Sequence, residues 1–279
     1  MRASPPKGVF PLGDLWLWPG FAVTRPAYSQ LIVADVHLGK AASFRAQGVP
    51  VPNQVTEESL ERLSVLIRVS RSSSLIVLGD LIHDRKALSG LLPIWERWRE
   101  QHPRLELKLI VGNHDRKAGR SAIEKQLPGL QVHEKKLLDQ GLVMAHEADD
   151  LIDMQAPVDA PVAAPVDATV DATVDATVDG PVDAKVDAPV DATVDAPVRG
   201  LCGHEHPVVL MPDALKAKRI RRPCFYLDHR QILHLPAFGS FTGGHPVSMA
   251  QCKRLFIDMV DAVKELPPLA LDRRRRRYR

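Results

Sequence analysis

The chain has 279 residues, 45% hydrophobic and 25% charged, with a formal net charge of +3. That is ample for a packed core and excludes a minimal disulfide-stapled module, since three cysteines without regular spacing make no framework and no Cys-x-x-Cys thiolate site. No apolar run reaches the ~18 residues of a membrane span, and the N-terminus lacks the apolar stretch of a secretory signal, so the expected location is the cytoplasm with no membrane partner.

In chain order, Leu15–Trp18 reads as a short strand, and Leu31–Ala34 as a buried strand that delivers Asp35 at its end. Thr56 and the acidic Glu57 and Glu58 open a helix with Leu60, Leu63, Leu66 and Ile67 on one face. Leu75–Leu78 is a second buried strand, running into Gly79 and Asp80. Leu91–Gln101 reads as a helix with Trp95 and Trp98 in the core. Leu105–Val111 is a third strand, leading to Gly112, Asn113, His114 and Asp115. Leu142–Ala145 ends in His146, and Leu201 to His206 reads as a turn followed by the strand Val208–Met211. Phe225–Leu227 and Gln231–Leu233 read as strands, and residues 249–264 as a helix. Strands that alternate with helices and end in polar residues define an α/β layered domain with its site beyond the strand ends.

Residues 156–199 repeat Val-Asp-Ala with Pro or Thr at a period of four. Four residues overshoot a helical turn, the prolines break helices and sheet ladders, and solenoids need longer periods. The segment therefore reads as an extended or disordered insertion between residues 1–155 and 200–265, which form one domain. Its nine Asp against Lys185 and Arg199 give −7, leaving about +10 on the rest of the chain by subtraction from +3. Residues 266–279 form a tail ending in Arg273–Arg277, Tyr278 and Arg279. Such a tail attracts polyanions or simply solubilises the terminus.

Five polar clusters stand at these strand ends. Asp35 and His37 alternate along an extended chain and so point the same way, a carboxylate and an imidazole able to meet one cation. Asp80 has two oxygens with which to bridge two metals. Asn113 offers a neutral oxygen, while His114 can stay off the metal with Asp115 holding its ring in one tautomer. His146 alone would pass for a core histidine. His204 and His206 can reach adjacent cations, with Glu205 pointing the other way. His83 and Asp84 read as supports of this cluster. Lys40, Arg45, Arg85 and Arg116 lie near it and are candidates for holding substrate phosphate, or else surface charges. His102, His133, His229, His234 and His245 read as structural or surface residues.

The ordered set Asp-x-His, Gly-Asp, Gly-Asn-His-Asp, His, Gly-His-x-His resembles the calcineurin-like metallophosphoesterases over residues 31–206. The resemblance implies a four-layer α/β/β/α sandwich with two mixed sheets. One metal would be held by Asp35, His37, Asp80 and His206, and the other by Asp80, Asn113, His146 and His204. Mixed N and O ligands favour manganese, with iron or zinc as alternatives, over calcium or magnesium. Two such ions share a hydroxide that attacks phosphorus, with His114 assisting the leaving oxygen.

A narrower resemblance rests on Ala34–Ala41, Phe44, Arg45, Gly48–Pro52 and Leu235–Gly244. It is to the bacterial ligase-associated DNA damage response endonucleases of the PdeM type. It implies a phosphodiesterase or nuclease acting on DNA, in functional association with a DNA ligase and a helicase. The repeat segment departs from that family's pattern. A phosphatase or phosphodiesterase of small nucleotides is the first alternative, and a non-enzymatic binding module on the same fold the second.

Overall fold

A computed structural model describes residues 4–52, 54–152, 197–212, 219–259 and 261–266. The repeat segment and the arginine tail, on which two of the expectations fall, lie outside the described residues, save for Pro197, Val198 and Arg199.

The chain opens on three short strands, β1 (Phe10–Leu12), β2 (Leu15–Trp18) and β3 (Ala22–Arg25). They pair antiparallel into β4 (Gln30–Ala34), which starts a parallel run through β5 (Ser74–Leu78), β6 (Glu106–Ile110) and β7 (Leu130–His133). Every residue of β4 and β5 is buried, as expected of strands covered on both faces.

Five helices are described: α1 (Lys40–Ala46), α2 (Val55–Ser70), α3 (Leu88–Gln101), α4 (Asn113–Ala118) and α5 (Arg120–Gln126). α2 and α3 supply Leu60, Leu63, Ile67, Leu91, Trp95 and Trp98 to one core, against Leu31, Val33, Leu75, Val77, Leu107 and Leu109 of the sheet. The tryptophans are core residues, as read. Trp98 Nε1 also donates to the Leu60 carbonyl (3.1 Å) and to Ser64 Oγ (2.9 Å), so its indole N–H is not left unpaired. α2 begins at Val55, so Thr56 falls inside its first turn. Gln54 precedes it without a side-chain cap, and Glu57 and Glu58 complement the helix dipole.

The second sheet holds β8 (Lys136–Asp139), β9 (Leu142–Ala145), β10 (Gly200–Cys202), β11 (Pro207–Pro212), β12 (Arg219–Asp228), β13 (Ile232–His234), β14 (His245–Pro246), β15 (Cys252–Asp258) and β16 (Val263–Leu266). Their order is β14-β11-β12-β13-β10-β9-β8, with β15 on β12 and β16 on β15. The sheet is mixed: β10 runs parallel to β9 and β13, while β12 runs antiparallel to β11, β13 and β15. The facing sides of the two sheets share a second core of Ile32, Ala34, Ile76, Leu78, Met144, Leu201, Phe225, Leu233 and Phe256. A short 3-10 turn, Ala148–Leu151, packs on β9 and β10. Helices on one face of the first sheet and the second sheet on its other face make an α/β layered sandwich of two mixed sheets.

The expected helix over 249–264 is replaced by β15 and β16. The run Leu255-Phe256-Ile257 is buried on both faces, with Phe256 in the inter-sheet core and Leu255 and Ile257 in a separate cluster with Tyr226 and Cys224. A helix would bury one stripe, whereas the open edge of β12 takes a strand buried on both sides. Among the described residues, no helix is long and apolar enough to cross a membrane.

Candidate metal centre

The ends of β4, β5, β6, β9 and β10 meet at one rim. β4 hands over to Asp35, which leaves the sheet with φ 54°, and His37 follows at φ 51°. β5 ends in Gly79 and Asp80 (φ 48°), and β10 in Gly203, with His204 and His206 at φ 68° and 45°. Left-handed backbone at five non-glycine residues is costly, and such clusters are found where a site over-determines the chain.

Two glycines let the elements close up. A Cβ on Gly79 would fall 2.0 Å from Nδ1 of His146, and one on Gly203 would fall 2.6 Å from Oδ2 of Asp35. The backbone therefore presses on the side chains of the site where no larger residue fits.

The seven sequence-predicted residues come together. His204 N–H donates to Asp35 Oδ2 (2.9 Å), and His206 Nε2 stands 3.2 Å from Asp35 Oδ1. His146 is fully buried. Its Nδ1 meets the Leu78 carbonyl (3.0 Å), and its Nε2 lies 3.0 Å from Asn113 Oδ1, 3.0 Å from His204 Nδ1 and 3.7 Å from Asp80 Oδ1. Asp80 Oδ1 also accepts the His114 N–H at 2.8 Å. His37 rings meet His114 and His206 edge-on, with centroids 5.0 and 5.4 Å apart.

The donor set suits divalent cations. Both ring nitrogens of His37 and Oδ1 of Asp35 are buried without a hydrogen-bond partner. Buried lone pairs are seldom left unmatched, and here they converge. Possible ligand atoms lie within 4.8 Å of one another in Asp35, His37 and His206, and again in Asp35, Asp80 and His146. Burial, aided by Lys40, pushes His37 down to about 2 and so keeps its imidazole neutral, as a ligand must be. Burial raises Asp80 above the ordinary carboxylate range. Burial also opposes a charge on His206, but its contact with Asp35 prevails and raises its pKa.

Around this centre the sequence reading needs one change. Asp115 does not hold the His114 ring. Its buried carboxylate accepts the N–H groups of Ile82 (3.0 Å), Gly112 (3.0 Å) and Leu81 (3.3 Å), tying the Asp80 loop to the Asn113 loop. The ring partner of His114 is the carbonyl of His83, 2.5 Å from Nδ1, and the two imidazoles stack with centroids 5.1 Å apart. A backbone acceptor in a following turn leaves no mark in sequence.

Of the candidate phosphate-binding cations, Arg45 gives its guanidinium to the carbonyls of Pro52 (2.7 Å) and Val51 (3.3 Å). Arg116 pairs with Glu147 at 2.8 Å. Lys40 is half-buried; burial lowers its pKa, against the pull of Asp80 and Asp35.

Two supports were not foreseen. The Leu235–Gly244 segment runs beside the site: Gly239 N–H donates to the Asp35 carbonyl (3.0 Å), and the Gly243 carbonyl lies 3.2 Å from His206 Nδ1. His234, read as structural or surface, is buried behind the Gly203–His206 turn. It lies 3.3 Å from Cys202 Sγ and 3.4 Å from Glu205 Oε2. Glu205 does turn away from His204 and His206, as read, toward Tyr226 and His234.

Among solved structures, the chain is similar to the nuclease MPE of Pseudomonas putida, at 30% identity and a TM-score of 0.62, over 92% of this chain and 100% of that one. It also aligns with Yfce, a phosphoesterase from E. coli, over 87% of this chain and 94% of that one. That likeness, at 12% identity and a TM-score of 0.31, carries no weight. No protein-family model matches the chain, and no curated protein does.

Proposed function

The chain belongs to the calcineurin-like metallophosphoesterases and is a metal-dependent hydrolase of the nuclease type; from that premise we propose that it cleaves phosphodiester bonds in DNA as a repair-associated nuclease. The observation that carries the reading is the convergence of buried, unmatched lone pairs of Asp35 and His37 on the rim that also holds Asp80, Asn113, His146, His204 and His206. The relative's being a nuclease supports the choice of a polynucleotide over a small phosphoester.

In this reading Asp35, His37, Asp80 and His206 would hold one metal, and Asp80, Asn113, His146 and His204 the other. Bound divalent ions, manganese first with iron or zinc as alternatives, supply Lewis-acid stabilisation of phosphoryl oxygens and activation of water. Asp115 keeps the Asp80 and Asn113 loops in register, through its three backbone hydrogen bonds.

His114 acts on the leaving oxygen. Its Nδ1–H is engaged by the His83 carbonyl, so Nε2, 4.0 Å from Asp80 Oδ2, is the nitrogen left to face the substrate. That side chain is 29% exposed, open enough to meet substrate. Its imidazolium form would give the Nε2 proton to the oxygen that departs and revert to the neutral Nδ1–H ring. Lys40 balances the negative charge brought by a phosphate. Arg116 can join it at the edge by exchanging Glu147 for the substrate, and Arg45 serves from the loop that it clasps. The free thiols of Cys202, Cys224 and Cys252 suit a reducing compartment, so we place the enzyme in the cytoplasm. An association with a DNA ligase and a helicase belongs to the same proposal and is supported by the family resemblance.

The test is hydrolysis of bis-p-nitrophenyl phosphate, p-nitrophenyl phosphate and single-stranded DNA by metal-stripped protein reloaded with Mn²⁺, beside Asp80→Ala. The expected result is Mn²⁺-dependent cleavage of the diester and of DNA that Asp80→Ala abolishes. Cleavage of the monoester alone would overturn the nuclease assignment.

A further inference from the structure

The hairpin of β11 and β12 leaves directly from the candidate metal-binding turn, since Pro207 follows His206. Its register pairs Val208 with Pro223, Val209 with Arg222, Leu210 with Arg221 and Pro212 with Arg219. β13 and β15 pair with β12 only from Cys224 onward. Residues 219–223 therefore have β11 as their one paired strand among the described residues, and past Val208, where β14 stops pairing with β11, the two strands form an arm beyond the rest of the sheet.

The arm is basic. Arg219, Arg221 and Arg222 are exposed, and none forms an ion pair with a described carboxylate. Alternation sorts them by face. Arg219 and Arg221 share the face of Phe225 and Leu227, which lie in the inter-sheet core. Arg222 shares the face of Cys224 and Tyr226, which lie in the separate outer cluster. Arg219 and Arg221 thus prolong the inner face of the sheet past the core, on the side where the rim lies.

A second contact ties the arm to the site. Arg221 Nη1 donates to the Gly244 carbonyl (3.3 Å), next to Gly243, whose carbonyl meets His206. At a rise of about 3.4 Å per residue, the positions opposite Arg221 and Arg219 lie about 14 and 20 Å along β11 from His206. Two arginines about 7 Å apart on one face, leading away from the candidate metal centre, form a track for successive phosphates.

We propose that the inner face of the β11–β12 arm, through Arg219 and Arg221, binds the backbone of the DNA strand on one side of the scissile phosphate. This rests on the nuclease reading and adds the path of the substrate to it. Its signature is electrostatic, because each phosphate contact releases counterions.

The test compares wild type with Arg219→Gln/Arg221→Gln and with Arg222→Gln. Glutamine at 221 keeps a donor for Gly244. The Kd of a labelled single-stranded oligonucleotide is measured across salt concentrations, beside turnover of bis-p-nitrophenyl phosphate. The double variant is expected to flatten the slope of log Kd on log salt by about 1.4, two contacts at about 0.7 each for a single strand. Its turnover of the small diester is expected to match wild type, and Arg222→Gln to keep the wild-type slope. A wild-type slope in the double variant, or an equal loss in Arg222→Gln, would overturn the track. A fall in small-diester turnover would do so too, by showing an effect on the centre instead. A wild type that turns over the small diester but binds no oligonucleotide would instead defeat the polynucleotide reading itself.

Discussion

Oε2 of Glu205 accepts the Tyr226 hydroxyl at 2.5 Å and lies 3.4 Å from Nδ1 of His234, whose ring stacks on Tyr226 with centroids 4.1 Å apart. Glu205 stands between His204 and His206, so this contact holds the turn from behind while its neighbours face the candidate metal centre. Groups that orient ligands without touching the metal typically matter by 10–100-fold in affinity. Glu205→Ala should weaken Mn²⁺ binding by about tenfold or more, and Tyr226→Phe by less, in titration calorimetry. Unchanged affinity in Glu205→Ala would remove the turn's dependence on this contact.

The same network sets a pH dependence. Burial works against a charge on His234, but Asp228, Cys202 and Glu205 outweigh it and raise its pKa to about 11. The folded chain thus holds a proton that the unfolded chain releases near the ordinary value of 6.5. The resulting stabilisation is complete below about 6.5 and declines as pH rises toward 11. Melting of the metal-free protein from pH 7 to 10 should show a falling Tm. His234→Gln should start lower and fall less steeply. Parallel slopes in the two proteins would exclude His234 as the source.

Gly79 has φ 77° and lies against the His146 ring. Gly79→Ala adds a methyl group into Nδ1 and Cγ of that ring, as well as left-handed backbone strain. The expected loss is about 3 kcal/mol, a Tm lower by roughly 6–12 °C for a domain of this size. Because the ring must move, Mn²⁺ affinity should fall as well. A stable variant with wild-type affinity would mean that His146 can shift without consequence.

His114 and Asp80 should fail differently. His114→Ala should lower kcat on DNA by about 10²–10⁴-fold and leave Mn²⁺ binding in calorimetry near wild type. Asp80→Ala should lose metal and activity together. The small diester has a far better leaving group than DNA, so His114→Ala should cost less on it. An equal loss on both substrates would argue against proton donation.

Residues 156–196 enter between β9 and β10, which pair directly through Val143 with Gly200 and Met144 with Leu201. The ends of both strands, which carry candidate ligands, are held by that pairing and by the inter-sheet core. Closing a long loop costs only slightly more entropy than closing a short one. Replacing 156–196 by a short Gly/Ser linker should leave diester turnover within about twofold of wild type. A collapse of turnover in a folded variant would assign the repeat a role at the site.

The sequence alone determined which residues make up the candidate site. Strand ends show in sequence because a buried strand is an apolar run and its exit is where polarity returns, so Asp35, Asp80, Asn113, His146 and the His204–His206 pair could be read in order. It also determined β4 and β5, whose apolar runs have few other uses, and β6, whose Leu107 and Leu109 alternate with Glu106 and Lys108. What it left open depends on partners remote in the chain. Leu255-Phe256-Ile257 suits a helix or a strand by local preference, and only the open edge of β12 decided for a strand. Asp115 and His114 are adjacent, so a bond between them was the local expectation. The tertiary fold instead brought the Leu81, Ile82 and His83 backbone within reach of both. His234 looked incidental because Glu205, Tyr226 and Asp228 gather around it only when β10, β12 and β13 align. Short-range pattern fixes which residues can serve as ligands, whereas contacts between separate strands and loops fix how each is held.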